Sequence, residues 1–383
     1  MNKIFPLIDF LYLLQIEEYN SKRYFKLLSR FFLRRNFQKR GSIVYTTRIK
    51  TTLLFALIPS ILFFPLTPIW VGLANIILTP YFEMIKLNIQ NKAAKYFSNV
   101  FNGKVIAIAG SYGKTTTKNY IFELIRFNYK TQMIPGNINT PTGIANWVLN
   151  KLRKDTEILI VEMDTYFIGE IARSCKITPP DIAILTNTAD QHLERFGSRK
   201  NLINALNEIF KFAKPNAIKI SGKKSNFEYA LEVAKILKIP PDITKDTAKK
   251  LKKPDRRGDF KNIFGYTVID ESYNICEETA IFGLKNAINI AKKENKKLVV
   301  ITAGIPELGN ENKDANSKYA IFLKKSGVEV VILKSILCKD YINNLKNYKL
   351  AKDLKEAWGF ITNNYKPNKY AILLQPELGD QYY

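Results

Sequence analysis

Val105-Ile-Ala-Ile-Ala-Gly110-Ser-Tyr-Gly113-Lys114-Thr115-Thr116-Thr117 joins an apolar run to two glycines, a lysine and three threonines. Lys118-Asn-Tyr-Ile-Phe-Glu-Leu-Ile follows and reads as a helix. This order predicts strand, loop and helix forming a phosphate cradle. Gly110 and Gly113 let backbone N–H groups face phosphate oxygens, with Ser111, Tyr112 and Thr116 completing the loop. The helix N-terminus adds partial positive charge. Lys114 has the reach for terminal phosphates, and the Thr115 hydroxyl suits Mg2+. Only Ser111 and Tyr112 separate the two glycines, whereas the commoner loop has four intervening residues. A glycine turn without a ligand is the alternative, and the strand–loop–helix order weighs against it.

Beyond the cradle, strand and helix patterns alternate. Strands are predicted at 105–110, 158–163, 181–187 and 216–221, and helices at 114–127, 142–152, 168–174 and 199–213. Alternation of this kind predicts an α/β domain with a mostly parallel sheet and a site at the strand C-termini. Glu162 closes one predicted strand, and Asn187 and His192 follow another. Residues 240–261 are polar and lysine-rich, with Pro240, Pro241 and Pro254, as at a domain junction. Strands near 266–270, 297–303, 328–334 and 369–375 then predict a second α/β unit. The expected domains are a basic N-terminal region at 1–100, a central nucleotide-binding domain at 101–250 and a C-terminal domain at 251–383.

The shortened loop resembles that of the Mur ligase family, ATP-dependent enzymes that join a carboxylate to an amino acid. Further segments resemble the family in order. Gly136-Asn137-Ile-Asn139-Thr140-Pro-Thr-Gly143 is similar to its Asn-rich loop. Val161-Glu162-Met163 and Gly169-Glu170-Ile171 are similar to its second acidic strand and the following helix. Thr186-Asn187 and Gln191-His192-Leu193-Glu194-Arg-Phe196-Gly197-Ser198 resemble its metal-histidine segment. Ile269-Asp270-Glu-Ser272-Tyr273-Asn274 and Gly304-Ile-Pro-Glu307-Leu308-Gly309 resemble C-terminal-domain loops. The likeness covers 102–383 and is closest to the subgroup that adds D-alanyl-D-alanine. It implies a Rossmann-like C-terminal domain whose loop at Asp270, Tyr273 and Asn274 swings over the nucleotide. It implies ATP and Mg2+ as cofactors. Lys114, Glu162 and His192 become catalytic candidates, Thr115, Glu162 and His192 metal ligands, and Asn226, Asp270 and Asn274 nucleotide contacts. Arg256 is either a phosphate partner or a surface arginine beside Asp255.

Two features depart from that pattern. The family's carbamylated lysine aligns with Leu206, which binds no metal; Lys200 and Lys211 are out of register. After Ile218-Lys-Ile-Ser221 the chain passes almost at once to Asn226-Phe-Glu-Tyr-Ala-Leu, so the adenine pocket is expected to be reduced or rebuilt.

The chain has 383 residues and a formal net charge of +25. Such a charge suits nucleic acid, an anionic membrane face or a highly anionic substrate. No Arg-Gly repeat, zinc cluster or aromatic RNA-binding motif appears, so nucleic acid is the weakest of these. Cys175, Cys276 and Cys338 are odd in number and far apart, which fits buried thiols in a reducing cytosol.

Residues 51–82 contain no charged side chain. The run is long enough to enter a bilayer, and too far from the N-terminus for a signal peptide. A buried core helix is the alternative. Pro59, Pro65, Pro68 and Pro80 argue against one straight helix. Arg30, Arg34, Arg35, Lys39, Arg40, Arg48 and Lys50 precede it; Lys86, Lys92, Lys95 and Lys104 follow. Basic flanks on both sides favour a hairpin over a single span, with both ends cytoplasmic. Residues 4–14 suggest a further interfacial or packing helix. No family-like UDP-sugar domain is recognisable upstream of the cradle.

The expected function is ATP-dependent amide formation through an acyl phosphate, on an anionic carboxylate-bearing precursor and an amino acid or dipeptide, in peptidoglycan precursor synthesis at the cytoplasmic membrane face. The competing expectation, raised by Leu206, is a non-catalytic nucleotide-binding membrane scaffold.

Overall fold

Sheet and helix boundaries follow the apolar runs closely in the computed structural model, which describes residues 7–33, 41–136, 138–251, 254–273, 275–345, 347–375 and 378. Asn137 and Asn274 lie outside the described residues, as do Ile4–Pro6, Arg34, Arg35, Lys39 and Arg40. The chain forms two compact units, Met1–Asn88 with Leu378–Tyr383, and Ile89–Glu377.

The first unit is helical: α1 (Leu7–Ile16), α2 (Ser21–Leu33), α3 (Thr47–Leu62) and the start of α4 (Thr67–Val100). Thr46 caps α3 by accepting from the Ile49 N–H at 3.2 Å. The uncharged run breaks once, in a 3-10 turn at Phe64–Leu66 that holds Pro65. Pro59 and Pro80 lie inside α3 and α4, and Pro68 falls in the first turn of α4, where a missing N–H costs nothing. The helices run antiparallel. Arg48 in the first turn of α3 donates to Asn75 Oδ1 at 2.8 Å and Thr79 Oγ1 at 2.9 Å on α4. Ile49, Ala56, Val71 and Ala74 pack with Leu11, Leu14 and Tyr24.

The second unit contains two sheets. The first has the order β2-β3-β1-β4-β5, parallel throughout: β1 (Lys104–Ala109), β2 (Thr131–Met133), β3 (Ile158–Glu162), β4 (Ile182–Leu185) and β5 (Ile218–Ile220). Around it run α5 (Lys114–Ile125), α6 (Pro141–Lys151), α7 (Glu170–Ile177), α8 (Leu193–Phe196), α9 (Arg199–Lys211), α10 (Asn226–Ile236) and α11 (Pro241–Lys250). β1, β3 and β4 are buried, which explains their continuous apolar runs.

The second sheet has the order β10-β9-β8-β11-β7-β6: β6 (Asp259–Ile263), β7 (Tyr266–Asp270), β8 (Lys297–Thr302), β9 (Glu329–Leu333), β10 (Lys349–Ala351) and β11 (Tyr370–Leu374). Only β6 is antiparallel, to β7. Its helices are α12 (Glu277–Lys293), α13 (Asn312–Lys325), α14 (Cys338–Ile342) and α15 (Leu354–Asn364). The α/β class and the second sheet match expectation. The polar stretch at 240–261 holds α11 and the start of β6. No residue of α11 is buried, so it lacks the apolar period that would announce it.

Candidate nucleotide site

The loop after β1 is fixed by its glycines and by the segment after β4. Gly110 has φ +143°, and a Cβ there would meet Thr186 Oγ1 at 2.0 Å. That hydroxyl donates to Ala109 O at 3.1 Å and Tyr112 O at 2.8 Å. Ser111 N–H donates to Asn187 O at 2.9 Å, and its hydroxyl to Ala189 O at 2.9 Å. Gly113 has φ +86°, with Asn226 Oδ1 2.4 Å from a would-be Cβ. Gly113→Ala should therefore strain the loop twice over. The positive φ alone costs about 1–3 kcal/mol. A fall in melting temperature together with weaker ATP binding is expected; calorimetric binding equal to the parent's would contradict this geometry.

α5 brings Lys114, Thr115 and Lys118 to the C-terminal ends of β1 and β3. Lys114 Nζ donates to Gly110 O at 2.6 Å and pairs with Asp164 Oδ1 at 3.2 Å. Thr115 Oγ1 donates to Glu162 Oε2 at 2.8 Å. Lys118, fully buried, places Nζ 2.9 Å from the same oxygen and 3.1 Å from Ile134 O. Burial lowers the Lys118 pKa from its ordinary value, and the Glu162 charge opposes that fall. Thr115 and Glu162 are adjacent hard oxygen donors. They fit Mg2+, which binds through one or two protein oxygens while keeping waters and phosphate oxygens.

The second sheet supplies the other wall. Arg257 Nη2 donates to Thr115 Oγ1 at 3.0 Å, and its guanidinium stacks 3.8 Å above the Tyr273 ring. Arg256 instead braces the turn after β7, with Nε donating to Ser272 Oγ at 2.9 Å and Nη2 to Ser272 O at 2.7 Å. Both arginines line the cavity, but it is Arg257, the neighbour of the one singled out in sequence, that contacts the cradle directly. Between the walls lies a cavity of about 630 Å3, lined among others by Tyr112, Asn139, Asn226, Phe227, Cys276 and Phe282.

Not every candidate converges. His192 Nδ1 is engaged by the Glu307 carboxylate, and its ring meets Tyr166 edge-on at 5.0 Å. Arg195 Nη2 donates to Glu307 Oε1 at 3.0 Å. Burial works to raise the Glu307 pKa, but His192 and Arg195 outweigh it and hold the carboxyl at about 2. His192 therefore does not join Thr115 and Glu162. Among the described residues no group of three or more His, Cys, Asp or Glu side chains is set to hold a metal. Asp270 is not among the residues that line the cavity. It pairs with Lys261 at 2.7 Å and accepts from Ser272 N–H at 3.0 Å. Burial opposes ionisation there, but those partners win and lower the pKa.

Leu206 is buried in the apolar core of α9, while Lys200 and Lys211 are exposed. The nearby carboxylate, Glu208, accepts from Gly169 N–H at 2.6 Å and Ala172 N–H at 3.0 Å at the start of α7, a capping role. All three cysteines are buried and free, with burial pushing the Cys276 thiol up to about 11. The sequence reading missed Asp164 and Lys118. Asp164 stands two residues after Glu162, the spacing that puts both on one side of an extended chain, and Lys118 stands four after Lys114, one helical turn on.

The fold and this site define an α/β protein with a glycine-containing strand–loop–helix turn lining a cavity beside two mostly parallel sheets. Residues 108–293 match the family model of the Mur ligase middle domain. It is 32% identical over 134 residues to the UDP-N-acetylmuramoyl-tripeptide--D-alanyl-D-alanine ligase of Bacillus subtilis, covering 35% of this chain and 29% of that protein. It is 34% identical over 149 residues to the same-named ligase of Rickettsia prowazekii, covering 39% and 33%. The alignments thus span about a third of these relatives' length. In structure, it resembles the MurF ligase of Thermotoga maritima in complex with ADP, with a TM-score of 0.68 over 76% of this chain and 80% of that one at 22% identity. MurF of Acinetobacter baumannii gives 0.67 over 76% and 77% at 19%. These two likenesses show the fold.

Proposed function

We propose that this protein is an ATP-dependent ligase that activates a carboxylate as an acyl phosphate and passes it to an amine. The observation that carries the reading is the convergence of Lys114, Thr115 and Glu162 with Arg257 on one cavity. A carboxylate and a triphosphate repel each other, so their approach needs fixed positive charge. Lys114 and Arg257 stand where the terminal phosphates would lie against the cradle. Mg2+ held by Thr115 and Glu162 would supply further charge neutralisation.

A carboxylate oxygen attacks the γ-phosphorus, and the bond to ADP breaks. The amine then attacks the acyl carbon, phosphate departs with the bonding electrons, and the nitrogen loses a proton. The sheets exclude water from that intermediate when they close over it. The relatives' names supply the substrate pair to try first: a UDP-N-acetylmuramoyl-tripeptide and D-alanyl-D-alanine.

The test is ADP release by the full-length protein in detergent with ATP and Mg2+. Multiple-turnover release that requires both the acceptor and the dipeptide is expected. Release indifferent to either would overturn the ligase reading and leave an ATPase. Arg257→Ala should lower that release at least about tenfold, the scale of one lost charge-assisted contact, whereas Arg256→Ala should chiefly lower the melting temperature. Equal rates for R257A and the parent would remove Arg257 from the site.

A further inference from the structure

The outer face of the α3–α4 hairpin is apolar and uncovered. Leu54, Phe55, Ile58, Ile61 and Leu62 on α3 are exposed, as are Ile69, Leu73, Ile76, Ile77 and Tyr81 on α4. Phe63, Phe64 and Leu66 extend the face around the turn, all more than 40% exposed. On α3 and α4 the opposite faces are buried against α1 and α2, so each helix shows one packed and one bare side. A soluble surface rarely leaves so many adjacent large side chains in water.

The surroundings of this face indicate its partner. No charged residue occurs between Lys50 and Glu83. Lys50 is exposed at the open end of the hairpin, and Lys22 and Lys26 are exposed on α2. A lipid leaflet with anionic headgroups matches both an uncharged face and a cationic border. Geometry limits the depth. From Arg48 to Leu62 α3 rises about 21 Å at 1.5 Å per residue, short of the roughly 30 Å hydrocarbon core. Tyr24 of α2 donates to Pro68 O at 2.8 Å, so the lysine-bearing helix lies alongside the start of α4. A hairpin crossing the whole bilayer would drag those lysines through hydrocarbon. Lying along one leaflet with its bare face inward and its α2 side outward, the hairpin keeps those lysines at the headgroups.

We infer that the α3–α4 hairpin seats its bare face and its turn in one leaflet of an anionic membrane and returns to the side it entered from. Choice of the cytoplasmic leaflet, and that alone, rests on the ATP-dependent reading above.

The test is flotation of the full-length protein with phosphatidylcholine vesicles, with and without phosphatidylglycerol. Strong flotation with the anionic vesicles is expected, weakening at high salt. The double variant Ile58→Glu/Ile77→Glu changes two exposed positions and should fold normally, with an unchanged melting temperature and ATP affinity. Its floated fraction should fall at least tenfold. Equal flotation of variant and parent would overturn the proposal. So would a parent that ignores vesicles and forms a dimer that the variant dissolves, since the face would then join two copies. In intact cells an impermeant thiol reagent should label neither Phe64→Cys nor Lys92→Cys; labelling of Phe64→Cys from outside would mean a span. Flotation is read without ATP, so failure of the ligase reading leaves this result intact.

Discussion

Glu162→Gln is expected to abolish ligation and to destabilise the fold at once. Glu162 Oε2 receives both Thr115 Oγ1 at 2.8 Å and the buried Lys118 Nζ at 2.9 Å. Removing its charge strips Lys118 of its counter-ion, which typically costs about 3–5 kcal/mol for a buried pair. ADP release should fall about a hundredfold or more, the scale of losing one group that neutralises developing charge. The two effects separate in the double variant Glu162→Gln/Lys118→Met. An apolar side chain in place of the lysine should return the melting temperature towards the parent's, while activity stays lost. Full activity in either variant would remove Glu162 from the chemistry. The lowered Lys118 pKa adds a sign to the pH dependence. The folded state binds that proton less tightly than the unfolded chain. Its contribution to stability therefore rises with pH between the lowered pKa and the ordinary lysine value, and is lost as pH falls through the lowered one.

Lys114→Ala should weaken ATP binding by about tenfold or more. Charge-assisted hydrogen bonds are worth about 1.5–3 kcal/mol, and 1.4 kcal/mol is a factor of ten. Lys114 is buried, and among the described residues its ammonium meets Gly110 O, Ser111 O and Asp164. Its loss should leave the loop standing, because Thr186, Asn187 and Asn226 hold the loop independently. Calorimetric titration with ATP gives the answer; an unchanged affinity would mean that the loop does not cradle phosphate.

The strand–loop–helix turn after β1 was legible because several local rules agree there. A buried parallel strand must be apolar throughout, glycines are required at φ +143° and +86°, and the lysine opens a helix. Glu162 was legible as the last residue of a buried strand. His192 was not placed correctly by its position after β4, because that position does not say where the side chain points. It carries φ +57° and turns to Glu307, 115 residues away in sequence. The same long reach hid Arg257, whose partner Thr115 lies 142 residues earlier. Arg256 and Arg257 are indistinguishable in sequence; both line the cavity, and only the turn geometry ties Arg256 to Ser272 and Arg257 to Thr115 of the cradle. Strands β2 (Thr-Gln-Met) and β10 (Lys-Leu-Ala) escaped notice because they carry no apolar alternation, whereas the equally short β5 reads Ile-Lys-Ile. The break in the uncharged run was legible from its prolines. Which of the four would break it was not, since Pro68 is tolerated in the first turn of a helix and Pro59 and Pro80 are held within theirs.

Isotope transfer tests the ligase account most directly. The acceptor is prepared with 18O in its reacting carboxylate and incubated with the full-length protein, ATP, Mg2+ and D-alanyl-D-alanine. If the carboxylate attacks the γ-phosphorus, one labelled oxygen leaves with that phosphorus when the amine displaces it. The account predicts inorganic phosphate carrying a single 18O atom for every amide bond formed. Amide formation with unlabelled phosphate, or ADP release whose phosphate takes its oxygen only from water, would contradict it.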